Sequence, residues 1–193
     1  MVCYFFCDTG VIRGYCDPKD EHHESCTYFF GKYPINLNNY NIAEPVIDEL
    51  NYYKSKLSKK AHEVIGTAEY TYYRFVENQI DLYIRQIDKF DCNHHGTDRV
   101  DELNLLINDL DTVIGSFTRS LENDIEIVAN SIIWSCVTGE NENHLLTVDF
   151  RNLIKNYADI KQTAEYCLQE DFKLLMLYIP EYCEYRCFLK EFG

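Results

Sequence analysis

The feature that most constrains the fold is an apolar segment of thirteen residues, Ile125–Val137, which reads IEIVANSIIWSCV. Ile125 and Ile132 lie on one helical face, while Ile133 and Trp134 lie on other sides of the same helix. A helix that is apolar on nearly every side must be buried on most of them. Because thirteen residues are too few to span a bilayer, the segment predicts a central helix surrounded by other helices of the chain.

The sequence around this segment has a helical hydrophobic pattern from Ala43 onward. Proline at position 45 is typical of a first helical turn. Helices are predicted from about 45 to 60, 61 to 90, 98 to 117, 121 to 138, 147 or 149 to 157, 159 to 178 and 182 to 189.

The first forty residues differ from the rest of the chain. The runs VCYFFCD and CTYFFGKYPI are rich in aromatic and β-forming residues and are bounded by glycine and proline, which predicts two or three short strands. The sequence therefore predicts a mainly α protein in two parts, a small β-rich N-terminal segment (1–42) and a helical bundle (43–193).

Charge and hydropathy limit the partners that we expect. The formal net charge of −14 argues against binding to nucleic acid backbones or anionic membranes, since both require a cationic surface. No apolar run reaches the length of a membrane span, and the N-terminus does not resemble a secretory signal. These features predict a cytosolic protein with neither a nucleic acid nor a membrane partner.

The N-terminal cysteines are the first candidate site. Cys3, Cys7, Cys16 and Cys26, with His22 and His23 between them, could supply zinc ligands. Structural zinc sites commonly use two pairs of ligands that are each two to four residues apart, and only Cys3 and Cys7 have that spacing. The alternative is a set of buried thiols on strands, with no cofactor, and this is the reading that we adopt.

The tyrosines of the predicted second helix are the second candidate site. Tyr70, Tyr72, Tyr73 and Tyr83 exceed what one core stripe needs. Surplus aromatic residues often mark a protein–protein contact, but these residues could equally fill a seam between the bundle and the N-terminal strands. Both interpretations stay open.

No sequence motif indicates a reaction. Phosphate-binding loops, dinucleotide-binding glycine patterns and G-x-S-x-G are absent, and His62-Glu63 lacks the second histidine of a zinc protease. The carboxylates are scattered along the predicted polar faces, so nothing suggests acid–base catalysis. The sequence thus predicts a protein that is not an enzyme.

The helical part resembles a known family. The stretches VIGSFTRSLENDIEIVANSIIWSC and FRNLIKNYADIKQTAEYCLQEDFKLLMLYI, with their F-x-x-L-I…I-x-x-x-x-E-x-x-L rhythm, are similar to the Bcl-2-like poxvirus immunomodulators. That resemblance implies a Bcl-2-like helical bundle around the central helix. It also implies a virulence factor of the host cytoplasm that binds host signalling proteins and suppresses NF-κB or interferon signalling, with homodimers through a helical face.

Two alternative functions are kept. The first is an apoptosis regulator that binds helical death motifs in a surface groove. The family's N-W-G-R-like signature is absent from SLENDIEIV, and the chain ends in the polar FLKEFG instead of an anchor. The second alternative is a small zinc-binding protein that uses the N-terminal cysteines.

Overall fold

Five short strands pair side by side in the computed structural model, which describes residues 3–114, 122–139, 143–169 and 174–180. All the pairings are parallel, and the strand order is β3-β2-β1-β4-β5. The strands are β1 (Tyr4–Cys7), β2 (Asn39–Ile42), β3 (Asp88–Lys89), β4 (Asn143–Thr147) and β5 (Leu174–Tyr178).

Helices connect these strands, as parallel pairing requires. They are α1 (Thr9–Cys16), α2 (His23–Lys32), α3 (Glu44–Glu63), α4 (Ala68–Gln86), α5 (Thr97–Ile114), α6 (Glu122–Thr138) and α7 (Tyr157–Leu168). Short 3-10 turns lie at Ile35–Leu37 and Cys92–His95, and a π-helical turn covers Phe150–Ile154.

The central strand β1 is covered on both faces. Neighbouring residues of a strand point to opposite sides of the sheet. On one side the ring of Phe5 packs 5.3 Å from that of Phe29 in α2, and on the other Phe6 packs 5.5 Å from Trp134 in α6. The described fold is therefore a three-layer α/β arrangement, and the consecutive apolar residues of β1 are typical of a parallel strand buried on both faces.

The predicted Bcl-2-like helical bundle is wrong. The segment that motivated it does form a buried helix, α6, in which Ile132 and Ile133 are fully buried and Trp134 is 2% exposed. However, α6 packs against a parallel sheet as well as against helices. A helix that is apolar all round requires burial, but its pattern does not specify whether helices or strands cover it.

Two shorter predictions fail because a brief apolar run has no distinctive period. The run CTYFFGK was predicted as strand and belongs to α2, where Cys26, Phe29 and Phe30 are buried at helical spacing. The run LLMLY was predicted as the end of a helix and forms β5.

The predicted division at residue 42 falls at the end of β2. The strands β1 and β2 on its N-terminal side pair in one sheet with β4 and β5 on the other side. The predicted helix over 182–189 lies outside the described residues. Among the helices that are described, none is long and apolar enough to cross a membrane.

Candidate active site

Two aspartates follow neighbouring strands at the same edge of the sheet. Asp8 comes directly after β1, and Asp149 comes two residues after the end of β4. The backbone N–H of Asp8 donates to the carbonyl oxygen of Leu146 at 3.0 Å, so the two strand ends are joined at this point. The carboxyl edge of a parallel sheet is where α/β proteins usually bind ligands.

Asp8 is buried and fixed in position. The hydroxyl of Thr147 donates to Asp8 Oδ2 at 2.9 Å and accepts the backbone N–H of Asp149 at the same distance. Burial raises the pKa of Asp8 to about 6; the hydrogen bond from Thr147 opposes this rise, and the charges of Glu49 and Asp149 add to it. A buried carboxyl group is therefore held beside other negative charges.

Two helices add a carboxylate each. Glu49 lies in the second turn of α3, and the side chain of Asn123 donates to Glu49 Oε1 at 2.9 Å, which links α3 to the start of α6. Next to Asn123, the pKa of Asp124 is raised to about 7 by burial and then by the charges of Asp8, Glu49 and Asp149. We call Asp8, Glu49, Asp124 and Asp149 the carboxylate cluster.

Small residues at the start of α1 shape this edge. The hydroxyl of Thr9 is buried beside Asp8 and has no hydrogen-bond partner within the described part of the chain. A side chain at Gly10 would place its Cβ 2.5 Å from Val148 Cγ2, so only glycine lets α1 approach the end of β4 this closely. The result is a close-packed corner with an unsatisfied hydroxyl next to the cluster.

The chemistry of the cluster fits a hard divalent cation, because Mg²⁺ and Mn²⁺ prefer carboxylate oxygens. The unsatisfied Thr9 hydroxyl and the raised pKa values of Asp8 and Asp124 agree with a site that gains from added positive charge. Within residues 3–114, 122–139, 143–169 and 174–180, no three histidine, cysteine or acidic side chains are grouped closely enough to enclose a metal. Mg²⁺ usually needs only one or two carboxylates, with water and substrate phosphates as its other ligands.

An acidic cleft of about 770 Å³ lies beside the cluster. It runs between the start of α3, the segment after β3, and the helices α5 and α6. Its acidic lining residues are Glu44, Asp48, Asp91 and Glu126, and Lys89 and His94 also line it. With four carboxylates and one lysine, this cleft repels anions.

The predicted tyrosine site is only partly at the surface. Tyr83 is 2% exposed, and its hydroxyl lies 3.4 Å from Cys7 Sγ in the core. The hydroxyl of Tyr72 donates to Asp17, while Tyr70 and Tyr73 are half-buried. Nothing here tests partner binding by these residues, so it stays a prediction.

The N-terminal cysteines lie mostly in the core. Cys7, Cys16 and Cys26 are buried, and Cys3 is half-buried. Burial raises the pKa of Cys7 and of Cys16 to about 12, which opposes the thiolate form that binds zinc. Zinc binding by these four residues, which we did not adopt, stays an untested alternative.

The sequence interpretation missed the carboxylate cluster. A signal was available for two members, because Asp8 follows the run YFFC and Asp149 follows HLLTV, and an acidic residue after a short apolar run is typical of a strand end with a polar site. Glu49 and Asp124 carry no such signal. They reach the cluster only because α3 and α6 pack beside each other.

Comparison with known proteins gives one informative structure. No family model matches the chain, and no curated protein matches it. The chain is similar in fold to a solved structure of VapBC2 from Rickettsia felis bound to a DNA fragment from their promoter, with a TM-score of 0.50 and 15% identity over 80% of this chain and 92% of that chain. At this identity the similarity supports the α/β fold alone.

The function and partners inferred from the poxvirus resemblance are wrong. They depended on a helical bundle, and the described residues form an α/β fold with a parallel sheet. The chain is similar in fold to a DNA-bound VapBC complex and not to an immunomodulator, so the expectations of a host signalling partner and of no nucleic acid partner are not kept. No match bears on the poxvirus family itself.

Proposed function

We propose that this protein is a divalent-cation-dependent nuclease whose active site is the carboxylate cluster. One observation carries the proposal: at the carboxyl edge of the sheet the Thr147 hydroxyl bridges Asp8 and the backbone of Asp149, and Asn123 links Glu49 to the start of α6 next to Asp124. Burial, and then the charges of the other members, raise the pKa of Asp8 and of Asp124. The fold gives support, since the similar structure is of the VapC-like PIN type, whose members are typically nucleases. This points away from the prediction that the protein is not an enzyme.

The residues of the cluster have distinct roles in the proposal. Asp8, oriented by Thr147, and Asp149, whose N–H bonds to the same hydroxyl, would supply the one or two carboxylates that hold the cation. Glu49, oriented by Asn123, and Asp124 would add negative charge beside the cation without ligating it directly. A bound cation would activate water and stabilise negative charge on the phosphate.

The reaction is the hydrolysis of a phosphodiester. The oxygen of a water molecule forms a new bond to phosphorus, one ester P–O bond breaks, and the proton from water passes to the leaving oxygen. No redox partner or further co-reactant is needed.

Cleavage of labelled oligonucleotides tests this function. Single-stranded RNA and DNA are incubated with the protein in Mg²⁺, in Mn²⁺ and in EDTA. We expect cleavage with either cation and none in EDTA. Asp8→Asn and Asp124→Asn should abolish cleavage, because each removes a charge that holds the cation.

Asp111→Asn is the control, because Asp111 is an exposed carboxylate on α5 that lies outside both the cluster and the acidic cleft. It should leave the cleavage rate unchanged. Cleavage that persists in EDTA, or an Asp8→Asn variant as active as the wild type, would refute the assignment. So would the absence of cleavage with every cation and substrate.

A further inference from the structure

The exposed surface of α3 continues from the carboxylate cluster as a basic face. Glu49 is followed at helical spacing by Tyr52, Lys56 and Lys60, which therefore lie along one side of the helix, with Lys59 beside them. The buried residues of the helix, Val46, Leu50, Leu57 and Ala61, lie on a different side. We call Tyr52, Lys56, Lys59 and Lys60 the α3 basic face.

The charge on this face is unusual for the chain. The net charge is −14, yet positions 50–62 contain four lysines and no acidic residue. Lys54 forms an ion pair with Asp81 of α4. Lys56, Lys59 and Lys60 are exposed, and no ion pair to them is found within the described ranges. Three lysines are thus available to an anionic partner.

Tyr52 provides an aromatic surface among these lysines. Its side chain is 63% exposed, and Lys56 Nζ lies 4.1 Å from the centroid of its ring. Exposed aromatic rings interleaved with cations are typical of surfaces that bind single-stranded nucleic acid, where bases stack on rings and lysines contact phosphates. Bases in a duplex are already stacked on each other and offer no free face to such a ring.

The charges around the cluster favour a nucleic acid strand that runs along α3 over one that runs through the acidic cleft. The cleft on the other side of the cluster carries Glu44, Asp48, Asp91 and Glu126, which repel phosphates. Along α3 the charge is positive, and the distance from Glu49 to Lys60 is about 16 Å at 1.5 Å per residue. That length accommodates several nucleotides next to the cluster.

We propose that the α3 basic face binds a single strand of nucleic acid and leads it to the carboxylate cluster. This inference rests on the proposed nuclease function and specifies its substrate as single-stranded. Binding by this face requires neither a cation nor cleavage, so it is measured separately from activity.

Fluorescence anisotropy in EDTA tests the binding. The probes are a labelled uridine 12-mer, the matching deoxythymidine 12-mer and a duplex of the same length. The variant Lys56→Ala/Lys59→Ala/Lys60→Ala removes three phosphate contacts, so the slope of log Kd against log salt concentration for the single strands should fall by about 2.

A control variant removes three positive charges from other helices. Lys32→Ala/Arg85→Ala/Lys161→Ala changes cations on α2, α4 and α7, and its salt slope should match the wild type. Tyr52→Ala should weaken single-strand binding about tenfold through lost stacking, whereas Tyr52→Phe keeps the ring and should restore binding.

The outcomes separate the two proposals. If the oligonucleotides are cleaved but the triple lysine variant keeps the wild-type slope, the α3 assignment is wrong while the nuclease function stands. Binding to the duplex at least as tight as to single strands would also overturn it. If the slope and Tyr52 effects are found without any cleavage, the α3 face is supported and the nuclease function fails.

Discussion

At the scale of single residues, Asp8 shows why the carboxylate cluster is costly to the fold. Its pKa is raised from 3.8 to about 6, so the folded protein binds this proton more tightly than the unfolded chain does. The favourable contribution of Asp8 is complete below about pH 4 and is lost as pH rises through about 6. Above that range a buried charge remains among like charges.

We therefore expect Asp8→Asn to stabilise the protein in the absence of divalent cations. At pH 8 and low salt, the free energy of unfolding should rise by about 3 kcal/mol, and the gain should shrink toward zero near pH 4. Urea denaturation of both proteins across this pH range measures the effect. The exposed Asp48→Asn should show no such gain, and a destabilised Asp8→Asn at pH 8 would contradict the description of the cluster.

A second buried aspartate behaves in the opposite way. Burial acts to raise the pKa of Asp17, but hydrogen bonds from Tyr53 and Tyr72 outweigh it and lower the pKa below 3.8. Tyr53 Oη donates to Asp17 Oδ2 at 2.5 Å, so α3 and α4 are both joined to the end of α1. Stability from this contact is present above about pH 4 and is lost as pH falls through the lowered pKa.

Replacing Tyr72 by phenylalanine should destabilise the protein by about 1–2 kcal/mol at pH 7, since a hydrogen bond to a charged group is lost. The loss should diminish below pH 4 as Asp17 becomes protonated. Thermal unfolding, monitored by circular dichroism, measures the loss of stability at pH 7 and below pH 4. Tyr52→Phe is the control, because that side chain is largely exposed; an equal loss in the two variants would exclude a specific role for Asp17.

At the scale of elements, the helices with long amphipathic patterns and strand β1, within the run VCYFFCD, could be predicted, whereas β4 and β5 could not. The prediction for α3 was close, because proline at position 45 marks its start and a row of apolar residues marks its buried face. The strands β4 and β5 have five residues each, nearly all of them buried. Such runs lack the alternation of a half-exposed strand and match a buried helix equally well.

Helix α6 was predicted for the right physical reason but in the wrong surroundings. Burial of Ile132 was a correct expectation, and Trp134 contacts Phe6 of the central strand where another helix was expected. An apolar pattern on every side shows that the helix is buried. It does not show whether helices or a sheet cover it.

We expect Ile132→Ala to cost about 2–5 kcal/mol of unfolding free energy, because it leaves a cavity between α6 and its neighbours. The emission of Trp134, the single tryptophan of the chain, follows the transition in urea. Ile65→Ala removes the same side chain from a site that is 69% exposed and should change stability by less than about 0.5 kcal/mol. Equal effects of the two substitutions would contradict the packing of α6.

At the scale of the whole molecule, the net charge does not show how charge is distributed over the surface. A total of −14 argued against nucleic acid, but it averages over an acidic cleft, a carboxylate cluster and the α3 basic face. Part of that negative charge belongs to the proposed cation site. Binding depends on the local distribution of charge, which is known only once the helices and strands are placed.

The candidate site was hidden for the same reason. Its members lie at positions 8, 49, 124 and 149, and no local spacing relates them. Parallel pairing of β1 with β4 brings two of them together, and packing of α3 beside α6 adds the others. A fold predicted without a parallel sheet could not contain this site.

The most direct test of the account is anomalous X-ray diffraction from crystals of the protein soaked in Mn²⁺. We predict an anomalous peak within about 2.5 Å of carboxylate oxygens of the cluster, Asp8 among them, and no peak there in crystals of Asp8→Asn. A map with no peak at the cluster, or with Mn²⁺ bound only at other carboxylates such as those of the acidic cleft, would contradict it.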